Sequence, residues 1–158
     1  MKPVFVLSVV ALATFGVANA ETDHADNSAI QKVLSAQQEA WNRGDIDGFM
    51  NGYARSPSTT FVSEDEVTRG WETVRDRYHK AYSDRSQMGK LTFFDLEITS
   101  LGQDSAFVSG GWRLEREKDA PHGRFTLVFR LTDAGWKIVH DHTSAAPQLQ
   151  NKKGHFSN

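Results

Sequence analysis

The 158-residue chain contains no cysteine. Disulfides and thiolate chemistry are therefore excluded, and stability must come from the core, helped where needed by a subunit interface. Basic surplus is also missing. The formal net charge is −2, so nothing is available to neutralise a run of phosphates, and no nucleic-acid partner is expected. Beyond residue 20 no apolar run approaches the ~20 residues that a bilayer span needs, so no membrane partner is expected. Phosphate loop, nucleophile elbow and dinucleotide fingerprint are all absent from the sequence, and no cofactor is predicted.

What is present begins with an export signature. Lys2 precedes an apolar run from Val4 to Val17, and Ala18-Asn19-Ala20 follows as a small-x-small cleavage pattern. The run is short for a membrane anchor, and acidic Glu21, Asp23 and Asp26 follow in place of a basic stop-transfer flank. The expectation is a signal peptide over 1–20, cleavage after Ala20, and a periplasmic or secreted product. Removing residues 1–20 takes away only Lys2, which leaves 138 residues of net charge −3. That is enough for one domain, read over 21–146, with a polar tail over 147–158.

Residues 21–27 read as a loose lead-in. Ser28-Ala29-Ile30-Gln31 reads as a capping box, followed by a helical stripe of Ile30, Val33, Leu34 and Trp41. Gly44 supplies a left-handed stop, and Asp45 starts a second helix with Ile46, Phe49, Met50 and Tyr53 on one face. A short strand over 59–63 is followed by Val67-Thr68 pairing back. Gly70 opens a third helix bearing Trp71, Val74, Tyr78, Ala81 and Tyr82. A loop is read over 87–90. Strand-like runs follow at 91–101, 105–116, 124–131 and 136–143, joined by short connections that imply antiparallel neighbours. Helices first and a strand meander after make an α+β class, with the helices covering one sheet face.

Pairing Leu131 with Trp136 across the last turn puts Phe129 opposite Ile138, Leu127 opposite His140 and Phe125 opposite His142. The apolar face then ends in His140 and His142. Asp141 falls on the outer face with Arg124, Arg130 and Lys137. On the neighbouring run the inward set is Ala106, Val108, Gly110, Trp112 and Leu114, and Gly110-Gly111 allows a bulge or a sharp bend. Before it, Phe94, Leu96 and Ile98 read as inward, with Asp95 and Glu97 outward. A bent sheet around three helices leaves a hollow. Trp41, Tyr53, Trp71, Tyr78, Trp112 and Phe129 are the expected ligand-binding walls.

Three segments resemble the SnoaL-like families of the nuclear transport factor 2-like superfamily. They are Ala40-Trp41-Asn42-Arg43-Gly44-Asp45, the run from Gly123 to Arg130, and the run from Gly135 to Ser144. The resemblance covers about residues 30–146. It is nearest to the branch akin to the association domain of calcium/calmodulin-dependent kinase, which has a similar Trp-x-x-Val-His-x-His ending. The resemblance implies a cone-shaped barrel, in which a curved antiparallel sheet wraps around three N-terminal helices, as in cystatin-like folds. It also implies a pocket and homodimers formed through the outer sheet face. The kinase domain has a pocket arginine directly after its His-x-His; here that position is Thr143.

His140 and His142 are the candidate catalytic residues, because two histidines two apart on a strand point the same way and can move protons. They serve equally as ligand contacts, or as satisfied core histidines. They also supply two metal-ligand positions, but no third ligand stands at a recognisable spacing, and no metal is predicted. Three functions stay open. The first is binding of a small, largely apolar molecule. The second is an acid/base enzyme of isomerase, dehydratase or cyclase type, and the third is an oligomerisation module.

Overall fold

The structure, a computed structural model, describes the backbone of residues 15–147 and side chains from residue 26 onward. Residues 1–14 of the expected signal peptide over 1–20, and residues 148–158 of the expected tail over 147–158, lie outside the described residues. The first helix, α1 (Phe15–Asn42), includes residues 21–27, which the sequence marks as a loose lead-in. Ser28 therefore lies inside the helix and caps nothing. A tertiary contact holds this turn in place: Trp136 Nε1 donates to Asp26 at 3.1 Å, tying the helix to the last strand. Ile30, Leu34, Gln37 and Trp41 recur at helical spacing, and all four are buried.

At Gly44 the backbone turns with φ +87, the left-handed conformation that favours glycine. Asp45 then caps α2 (Ile46–Met50) by accepting from the Gly48 amide at 2.7 Å. Gly70 precedes α3 (Trp71–Ala81), which buries Trp71 and Val74. A one-turn helix, α4 (Arg85–Met88), stands where a loop is expected over 87–90. Its cap is Asp84, which accepts from the amides of Ser86 and Gln87. Among the described residues no helix is long and apolar enough to cross a membrane.

Six strands follow the predicted order: β1 (Thr60–Ser63), β2 (Glu66–Arg69), β3 (Lys90–Ser100), β4 (Ser105–Glu115), β5 (His122–Thr132) and β6 (Gly135–Ala145). They form one sheet in the order β2-β1-β6-β5-β4-β3. Every pairing is antiparallel except β1 with β6, which is parallel. The helices lie on its inner face, so the class is α+β, with a curved sheet wrapped on the N-terminal helices. The edge strand β3 is held to α1 by side chains: Asn42 bonds both the amide and the carbonyl of Leu91, and Gln38 accepts from the Phe93 amide.

Two bulges bend the sheet. One lies on β3 between Phe94 and Glu97, opposite Gly110, where Asp95 takes φ 50. This is the bend that Gly110-Gly111 suggests. It also corrects the facing of Phe94, which lies on the outer face against Gly111, while Phe93 takes the inner place opposite Trp112. The other bulge lies in the β5–β6 pair, and it decides the chemistry of the interior.

Candidate functional site

From the turn, β5 and β6 pair as the sequence predicts, with Leu131 opposite Trp136 and Phe129 opposite Ile138. The next pair is Val128 with His140, so Val139 is an extra residue without an opposite number. Because strand faces alternate, one extra residue reverses every side chain beyond it. Asp141, opposite Leu127, therefore faces the helices, and His140 and His142 face outward. The parallel pairing with β1 agrees: Phe61, which is buried, sits beside Asp141.

Asp141 is 4 % exposed. Tyr53 donates to its Oδ2 at 2.6 Å, and Thr143 donates to its Oδ1 at 2.6 Å. Tyr53 is fixed by backbone. Ile138 donates to the Gly52 carbonyl at 2.9 Å, and Ala54 donates to the Ile138 carbonyl at 2.8 Å, so this short segment lies alongside β6. The Tyr78 hydroxyl lies 3.4 Å from that of Tyr53. Since the single Tyr53 proton is given to Asp141, Tyr78 is the donor in this looser contact.

These groups open onto a cavity of about 280 Å³ between helices and sheet. Its helix side is Gln37, Trp41, Phe49, Arg77, Tyr78 and Tyr82. Its sheet side includes Phe61, Phe93, Trp112, Phe125, Leu127 and Ile138, with Asp141 and Thr143 among them. The aromatic wall is interlocked: Trp41 meets Tyr82 edge-on at 4.7 Å and Phe49 at 5.2 Å, and Phe61 meets Tyr78 at 5.6 Å.

Burial sets the proton affinities. It pushes Asp141 up to about 6, while the Thr143 and Tyr53 hydrogen bonds and nearby His142 pull the other way. Burial likewise raises Tyr53 and Tyr78 well above the usual phenol range, with the Asp141 charge adding to it. Near neutral pH both phenols therefore stay protonated, and Asp141 titrates close to neutrality.

The candidate histidines fall outside this interior, because the bulge turns them away. Burial lowers His140, and its Nδ1 meets the Thr60 hydroxyl at 2.6 Å. His142 is exposed. Among the expected walls, Trp41, Tyr53, Tyr78 and Trp112 line the cavity. Trp71 does not: its indole donates to the Met50 carbonyl at 3.0 Å, and Arg55 covers its ring. Phe129 is packed in the core at 0 % exposure. Asp141 does not take the outer-face place expected beside Arg124, Arg130 and Lys137; there Arg124 pairs with Asp95 at 2.9 Å and Arg130 with Asp104 at 3.0 Å, while Lys137 donates to the Asn51 carbonyl. Among the described residues no three metal-ligating side chains gather, and His79 faces Asp47 at 3.1 Å instead.

A curved sheet closed on helices, with an aromatic pocket between, places the chain among the nuclear transport factor 2-like, cystatin-like folds. More narrowly, the profile of the SnoaL-like domain matches residues 30–148, and the chain belongs to that family. It is similar to an NTF-2 like protein of unknown function from Shewanella oneidensis MR-1, with 39 % identity, a TM-score of 0.72, and 75 % of this chain and 98 % of that one covered. At 12 % identity it shares the fold of a protein with a cystatin-like fold from Nostoc punctiforme PCC 73102, with a TM-score of 0.67 over 79 % of this chain and 94 % of that one. At 16 % identity it shares the fold of a ketosteroid isomerase-like protein from Erwinia carotovora atroseptica SCRI1043, with a TM-score of 0.61 over 77 % and 96 %. No protein with a curated description matches the sequence.

Proposed function

We propose that the domain binds a small, largely apolar carbonyl compound in the cavity and moves a proton on it with Asp141. The observation that carries this reading is one carboxylate, buried in an aromatic pocket, whose proton affinity lies close to neutrality. In its ionised form Asp141 accepts a proton from the carbon beside the carbonyl. The Tyr78 proton, committed only across 3.4 Å, is free to turn toward the developing enolate oxygen. Return of the proton to another carbon is an isomerisation; loss of a β-hydroxyl as water is a dehydration. Tyr53 and Thr143 hold the carboxylate in place and leave each oxygen a second lone pair for the transferred proton. The cavity lies just under the ~300–1,000 Å³ usual for ligand pockets, which favours a compact substrate.

The test is deuterium incorporation into 2-tetralone, a compact bicyclic ketone, followed by NMR in D₂O. The wild type should speed exchange beside the carbonyl, and Asp141→Asn should not. A ketone that binds in the cavity while exchanging at the buffer rate would remove the proton chemistry and leave a binding domain.

The outer sheet face supports self-association as part of the same reading. Phe107, Val128 and Val139 lie there half-exposed beside His140 and His142. Sedimentation velocity should find a dimer, and Val128→Arg should weaken it at least tenfold. A wild type that sediments as a monomer at 100 µM, on the order of millimolar affinity or weaker, would refute this part.

A further inference from the structure

One charged cavity residue takes no part in the proton chemistry. Arg77, on α3, lines the cavity, and its guanidinium stacks 4.8 Å from the centre of the Phe61 ring, another cavity wall. Its ion pair is long and weak: Nη2 lies 3.6 Å from Oε2 of Glu66, a largely exposed carboxylate. Its Nε is buried and has no hydrogen-bond partner among the described residues. A buried, unused guanidinium donor is costly to leave unsatisfied. Phe61 is paired in register with Thr68, whose buried hydroxyl also lacks a partner. Beside Phe61 two buried polar atoms are thus left unused, and of the two residues that carry them Arg77 lines the cavity.

We propose that Arg77 is the anion contact of this cavity, and that the ligand is a compact aromatic or alicyclic molecule bearing a carboxylate. The two terminal nitrogens of the guanidinium, one of them held only by the long contact to Glu66, form a fork that matches a carboxylate's two oxygens. The ligand's apolar body would then lie against Tyr78, Trp41 and Trp112. This orientation also keeps its charge off Asp141, because a second carboxylate beside that one would be repelled. The proposal rests on the cavity being the ligand site, and it gives that site its substrate class.

Isothermal titration with 2-naphthoate and its neutral twin 2-naphthamide at pH 8 tests it. The wild type should bind naphthoate at least tenfold more tightly than the amide. Arg77→Gln should abolish that preference while leaving the amide's affinity unchanged, and Arg77→Lys should restore part of it. Glu66→Gln removes the competing carboxylate and should tighten naphthoate a few-fold, an effect that a purely structural Arg77 would not produce. Unchanged melting temperatures establish that the variants are folded. Equal binding of the two compounds by the wild type, or a preference that survives in Arg77→Gln, overturns the anion contact and leaves the apolar site standing. Failure of both compounds to bind overturns the cavity itself as the ligand site.

Discussion

Asp141→Asn should be more stable than the wild type at pH 8 by about 3 kcal/mol, and only slightly more stable at pH 4. The size follows from a carboxyl whose proton affinity rises from 3.8 to about 6 on burial, at roughly 1.36 kcal/mol per unit. The sign follows from proton binding. Between those two values the folded chain holds the Asp141 proton and the unfolded chain has released it. Raising the pH through this window therefore costs stability, and the loss is complete above about 6. Asparagine matches the shape and never ionises, so it avoids that cost. The hydroxyls of Tyr53 and Thr143 can rotate to accept from its amide. The same variant should lose the exchange activity by about 10²–10⁴-fold, the usual worth of a positioned general base. A gain in stability joined to a loss of chemistry is what a strained catalytic carboxylate produces. Urea denaturation of both proteins at the two pH values provides the check. An equal difference at pH 4 and pH 8 would mean that Asp141 ionises without cost, and that it is not the tuned base proposed here.

The fold was legible because its signals are local. Gly44 and Asp45 mark the α1–α2 junction, Gly70 opens α3, and four amphipathic runs separated by short turns describe the meander. Most of the pocket wall was legible too, since Trp41, Tyr53, Tyr78 and Trp112 sit on the apolar faces of their elements. The catalytic candidate was not. Pairing carried out residue by residue from a tight turn holds only until a bulge, and a bulge has no residue signature of its own. Val139 is compatible with either face. The sole trace is two β-branched residues in succession, Ile138-Val139, where strict alternation asks for one. Phe93-Phe94 on β3 leaves a similar trace beside its own bulge. Removing one residue from the count exchanges two histidines for one aspartate in the interior. The proposed chemistry then changes from an imidazole shuttle to a buried carboxylate held by a phenol. Thr143 changes meaning with it: it stands where the kinase domain has its pocket arginine, and here it donates to Asp141. The pocket cation instead comes from α3, as Arg77.

Gly123→Ala should destabilise the protein by about 3 kcal/mol, the upper part of the usual range for forcing atoms into a packed site. Gly123 is buried, between Trp112 on β4 and Ala145 on β6. A methyl group there would collide with the Ser144 carbonyl oxygen and come within 2.9 Å of the Trp112 indole nitrogen. These two atoms are hydrogen-bonded to each other at 3.0 Å. A side chain in the way could swing aside, but this carbonyl belongs to backbone paired with β5 at Arg124, so relief requires β5 and β6 to separate locally. Trp112 and Ala145 both line the cavity, so the damage should reach the ligand as well, weakening naphthoate and naphthamide together. That pattern differs from Arg77→Gln, which should affect the carboxylate alone. Gly102→Ala supplies the control. Its added methyl meets nothing within 4 Å, and its positive φ alone should cost roughly 1–2 kcal/mol without changing either affinity. If Gly123→Ala proves no less stable than Gly102→Ala, the strands at the cavity can part easily, and the close approach at Gly123 is not what holds Trp112 against β6.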